Sequence, residues 1–108
     1  MQGRVAVIGV DGADFDLVEK WSAEGKLPTF ARLRKEGSFG VLHSFEPMLS
    51  PILWTTIATG VPPEEHGITD FWKDSTRFSL SSARKAKALW NTLTDAGGSA
   101  GVIGWLIT

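Results

Sequence analysis

The run Val5-Ala6-Val7-Ile8-Gly9-Val10, rich in β-branched residues and free of charge, sets the tightest limit on the folds open to this chain. An apolar run without alternation is what a strand covered on both faces requires, and strands of that kind belong to parallel sheets. Phe39-Gly40-Val41-Leu42-His43-Ser44 reads as a second strand, its alternation weakened by Gly40, and residues 100–107 as a third, interrupted by Gly101 and Gly104. Helical patterns lie between the three. Strand, helices, strand, helices, strand is a βαβ order, which implies right-handed crossovers and an α/β fold with a mostly parallel sheet flanked by helices. The third strand is rich in Val, Ile, Trp and Leu with no helix after it. The expectation is a fold incomplete at the C-terminus, its last strand covered by a missing C-terminal part or by another chain in an oligomer.

The helices carry their own punctuation. Asp14 or Ala13 opens the first, with Phe15, Leu17, Val18 and Trp21 near helical spacing and Gly25 closing it. Leu27-Pro28-Thr29-Phe30 starts the second, which ends at Lys35-Glu36-Gly37. The third, Pro51 to Thr59, is almost wholly apolar apart from its threonines, so burial is expected, with Gly60 just past its end. Residues 69–82 read as an irregular excursion, a candidate flap. Ser82 is the expected cap of a fourth helix from Ala83 to Ala96, with Ala86, Leu89, Trp90 and Leu93 on one stripe and Arg84, Lys85 and Lys87 as solvated surface.

The 108 residues suffice for one domain and one core. With 11 basic against 12 acidic residues, no field favours a nucleic acid polymer or an anionic membrane, so an anionic ligand must be met locally. The lack of cysteine excludes disulfides, thiolate metal sites and cysteine nucleophiles. No apolar run approaches a membrane span and no secretory signal is visible, which makes a cytoplasmic protein the default.

Two positions suggest chemistry. In Pro47-Met48-Leu49-Ser50-Pro51, a loop ends on a hydroxyl residue and a helix begins, with Pro51 suited to the first helical position. Ser50 then stands at the N-cap, where the positive end of the helix dipole favours an alkoxide or a phosphate; a plain capping serine is the competing reading. Asp11-Gly12 directly follows the first strand, at the edge where open α/β sheets place ligands. Asp11 is therefore a candidate ligand for a hard cation, with Gly12 letting the backbone turn closely around it, against the alternative of an ordinary Asp-Gly turn. His66, in the loop Val61-Pro62-Pro63-Glu64-Glu65-His66-Gly67-Ile68, either touches the site from a second layer or pins its loop by hydrogen bonds. His43 is expected to be a wall residue.

Asp11-Gly12, Leu27-Pro28-Thr29-Phe30, the Ser50 loop and Thr59-Gly60-Val61-Pro62-Pro63-Glu64-Glu65-His66-Gly67-Ile68 occur in one order that resembles the N-terminal part of type I phosphodiesterase/nucleotide pyrophosphatase proteins of the alkaline phosphatase superfamily. The resemblance covers nearly the whole chain. It implies an alkaline-phosphatase-like domain of which residues 1–108 are the N-terminal part, with two divalent metal ions, usually zinc, manganese and magnesium being the alternatives. It also implies a small phosphodiester or nucleotide substrate, Asp11 as a metal ligand, and Ser50 as a nucleophile that also touches a metal. Gly12 and His66 would lie in a second layer. One carboxylate and one hydroxyl cannot hold two zinc ions, since a catalytic zinc takes about three protein ligands. The 108 residues alone are therefore expected to be inactive. Sulfatases fit less well, because Trp54 stands where their arginine falls. A non-catalytic truncated α/β binding or scaffold domain is the alternative to the hydrolase.

Overall fold

The computed structural model describes residues 3–108. Two compact units divide the chain at residues 43 and 44.

The first unit holds two helices, α1 (Phe15–Ala23) and α2 (Pro28–Glu36). Asp14 caps α1, its carboxylate accepting the Leu17 N–H at 2.9 Å, and Pro28 opens α2. Both starts follow from side-chain chemistry, because the first N–H groups of a helix need an outside acceptor and proline needs none. The two helices are tied by an ion pair between Arg34 and Glu19 at 2.6 Å, and the Arg34 guanidinium lies 4.2 Å from the centre of the Phe39 ring. Phe15 stacks on the other aromatic of this corner, Phe39, at 5.4 Å. No residue of either helix is fully buried.

The second unit contains α3 (Ser50–Thr59), α4 (Pro63–His66), the strands β1 (Trp72–Asp74) and β2 (Arg77–Phe78), a 3₁₀ turn (Ser81–Ala83) and α5 (Leu89–Asp95). Its core is Pro51, Ile52, Thr55 and Ala58 of α3 with His66, Ile68, Ser79 and Ala88. The expected burial of α3 is therefore observed. Thr55 and Thr59 return their hydroxyls to the carbonyls of Pro51 and Thr55, at 2.6 and 2.8 Å, which satisfies polar groups inside an apolar helix. Gly60 ends α3 at φ 71°, a left-handed position that a side chain would strain, and its N–H reaches the Thr56 carbonyl at 2.8 Å.

Among the described residues, the parallel sheet expected from the sequence is not formed. The sole sheet there is the antiparallel pair β1 and β2, and residues 5–10, 39–44 and 100–107 belong to no ladder. Val5 is 90% exposed, Ile8 85%, Leu42 86% and Ile103 98%, and His43 is exposed rather than part of a wall. A strand is defined by its neighbour: β-branched residues favour extended backbone, but without a paired edge and a covering layer that preference forms no sheet. The third stretch instead delivers Trp105. Its indole N–H donates to the Trp54 carbonyl at 3.1 Å, and its ring meets Trp54 edge-on at 5.1 Å and Trp90 at 5.9 Å.

The last helix starts later than the sequence pattern predicts. Residues 81–83 form the 3₁₀ turn, Arg84 is extended, and α5 begins only at Leu89. The reason is tertiary: the Lys85 N–H donates to the His66 carbonyl at 2.9 Å, away from any helical ladder. Asn91 then organises the true start, its side-chain oxygen accepting the Ala88 N–H at 3.1 Å and an Arg84 guanidinium N–H at 2.9 Å. Arg84 is therefore half-buried rather than solvated, while Lys87 pairs with exposed Asp95 as a surface cation should.

Candidate functional site

Ser50 occupies the first helical position of α3, one residue inside the expected cap. Leu49 is the cap: its backbone is extended, and its carbonyl accepts the N–H groups of both Ile52 and Leu53 at 3.0 Å. Pro51 takes the second position, where an N–H would have no helical acceptor. The shift keeps the hydroxyl in the first turn of a ten-residue helix. That turn has no acidic residue and no side-chain cap, so no side chain of α3 offsets the positive end of its dipole.

Asp11 lies in the first unit, in a turn completed by Gly12. Gly12 has φ 67°, so the tight turn read from the sequence is formed at a residue that tolerates it. Ser50 and His66 both lie in the second unit.

His66 is wholly buried and bonded through both ring nitrogens. Nδ1 accepts the Ile68 N–H at 3.1 Å, which leaves the ring proton on Nε2, and Nε2 donates to Thr56 Oγ1 at 3.0 Å. Thr56 stands six residues beyond Ser50 on α3, so the histidine fastens the α4 corner to the helix that Ser50 begins. Of the two roles open to His66, the pin is the one these bonds describe. Burial lowers its pKa below the ordinary 6.5, outweighing the opposing pull of Glu64.

The sign of the resulting pH effect is set by which state takes up the proton. Below 6.5 the unfolded imidazole is protonated while the buried one resists, so the stability held by neutral His66 is whole above 6.5. It is lost progressively as pH falls from there through the lower folded value. Urea unfolding is expected to show a lower midpoint at pH 5 than at pH 7.5, and His66→Gln is expected to flatten that dependence.

The expected two-metal centre is not formed by the described residues on their own. No three Asp, Glu or His side chains among them gather closely enough to hold an ion, and cysteine is absent from the chain. Among the described residues no helix is long and apolar enough to cross a membrane.

A family model described as type I phosphodiesterase / nucleotide pyrophosphatase matches residues 5–108. Comparison with curated proteins and with solved structures returned no match.

Proposed function

This chain belongs to the type I phosphodiesterase / nucleotide pyrophosphatase family, and from that premise we propose that it supplies the nucleophile and one metal ligand of a phosphodiester hydrolase. The family acts on small nucleotide or phosphodiester substrates and is generally metal-dependent. In our reading, Ser50 Oγ bonds to phosphorus as the bond to the leaving alcohol breaks. The electron pair departs with that oxygen, which takes up a proton. Water then cleaves the phosphoserine, restoring Ser50 and releasing a phosphate monoester. The observation that carries the reading is the placement of Ser50 in the first turn of α3, where the dipole favours the anion that approaches.

Asp11 is assigned as a ligand to a divalent metal, zinc first and manganese or magnesium as alternatives, with further ligands from outside residues 1–108. Support for such a larger domain comes from surface chemistry. The strand-like stretches at residues 5–10, 39–44 and 100–107 expose apolar side chains that an alkaline-phosphatase-like sheet would cover. A cytoplasmic location belongs to the same proposal. Asp11→Ala is expected to reduce zinc affinity by more than the roughly 10- to 100-fold that losing an outer-layer partner costs. Zinc retained after dialysis of a metal-loaded, full-length parent measures it, and unchanged retention would remove Asp11 from the ligand set.

A second reading, a non-catalytic binding or scaffold domain, is favoured by one observation: the lack of a metal-ligand group among the described residues. Zinc- or manganese-dependent release of p-nitrophenol from bis-p-nitrophenyl phosphate by a full-length parent containing this chain separates the two. Metal-stimulated release supports the hydrolase; no metal uptake and no release support the scaffold.

A further inference from the structure

We propose that Trp105 is a positioning residue for α3, whose bond to the Trp54 carbonyl fixes the first turn of that helix and with it the place at which Ser50 presents its hydroxyl, a role that rests on Ser50 being the nucleophile.

The Trp105 indole N–H meets the Trp54 carbonyl at 3.1 Å, four residues and about one turn beyond Ser50. The His66 bond to Thr56 ties the same helix further along. Burial alone does not supply what the indole adds. Pro51, Ile52, Thr55 and Ala58 turn one face of α3 inward, but apolar contact has no preferred direction and leaves the helix room to slide by fractions of an ångström. A hydrogen bond to a backbone carbonyl fixes both distance and angle. It acts on a side of α3 that packing leaves open, where Trp54 is half-buried and Ile57 is 51% exposed.

Trp105 is itself held. Its ring meets Trp54 at 5.1 Å and Trp90 at 5.9 Å, both edge to face. Behind it, Arg84 donates to the Asn91 side-chain oxygen at 2.9 Å and reaches the Ile107 carbonyl at 3.5 Å, with its guanidinium 5.4 Å from the Trp90 ring centre. The Thr108 hydroxyl closes the turn on the Trp105 carbonyl at 3.1 Å. Within that turn Ile107 has φ 60°, a conformation that costs a β-branched residue energy and persists only where its surroundings impose it. The strain marks residues 105–108 as clamped onto the second unit.

Placement matters because attack on phosphorus needs the oxygen in line and close, and a displacement of about 1 Å costs on the order of 100-fold in rate. Trp105→Phe keeps a ring between Trp54 and Trp90 and removes the N–H. In a metal-loaded, full-length parent it is expected to lower kcat per folded molecule about tenfold, as a shift of a fraction of an ångström would, with KM changed less than twofold. In the 108-residue chain, amide hydrogen exchange is expected to quicken at Leu53 and Trp54 while residues 56–59, tied by His66, keep wild-type protection. A wild-type kcat, a raised KM with kcat unchanged, or exchange quickened equally along all of α3 would overturn the proposal. Ser50→Ala in the same parent keeps two failures apart. If it stays active, the nucleophile reading falls and this proposal with it; if it is inactive while Trp105→Phe keeps wild-type kcat, only the positioning role falls.

Discussion

Ser50→Ala is expected to abolish phosphodiester turnover in a metal-loaded, full-length parent that carries this chain together with the further metal ligands, lowering kcat by about 10³-fold or more while the Kd for a non-hydrolysable substrate analogue stays within a few-fold of wild type. The asymmetry follows from what the hydroxyl does. As the atom that bonds to phosphorus, it has no substitute in the transition state, whereas ground-state binding draws on many groups. The fold should tolerate the change. Leu49 caps α3, not Ser50, and its carbonyl keeps both of its helical bonds in the variant. Turnover with the wild-type rate would reduce Ser50 to a helix-start serine. Ser50→Thr keeps a hydroxyl at the same atom and is expected to retain measurable activity, which separates lost chemistry from lost structure.

The largest effect on stability is expected at His66. His66→Ala is expected to cost about 2–4 kcal/mol. The loss has two sources: a cavity where a wholly buried ring stood, and an Ile68 N–H that loses its acceptor. Ile68 is itself 1% exposed, so water does not readily replace the imidazole. His66→Asn offers an amide oxygen to that N–H and is expected to recover part of the loss. Urea unfolding at pH 7.5 measures both, and a change below about 0.5 kcal/mol in the alanine variant would show that the α3–α4 corner is held by other contacts.

Helix boundaries were the most legible part of the chain because local chemistry sets them. Asp14 before α1, Pro28 at the head of α2 and Gly60 after α3 each satisfy or terminate a backbone ladder within a few residues, and the structure places all three where the pattern does. Strands were not legible in that way. The run at residues 5–10 has strong extended preference, but a ladder is a property of two segments, and sequence pattern names only one of them. The start of α5 differs from the pattern for a related reason: Lys85 sends its N–H to His66, a partner nineteen residues away that no helical periodicity reveals. The pattern puts Arg84 on the surface because it lies off the apolar stripe of Ala86, Leu89, Trp90 and Leu93, while its bond to Asn91 and its approach to Trp90 exist only once α5 is formed. His66 was the reverse case. A histidine between prolines and a glycine suggested a loop pin, and both of its ring nitrogens are used for that.

In the proposed reaction, phosphorus passes through a covalent bond to Ser50. Acid quenching of a metal-loaded, full-length parent during turnover of a phosphodiester, followed by mass spectrometry of the peptide that contains α3, tests this directly. One phosphoryl adduct on Ser50, absent from substrate-free controls, is the predicted result; substrate consumed with the adduct on another residue, or with no adduct on any time scale sampled, would contradict it.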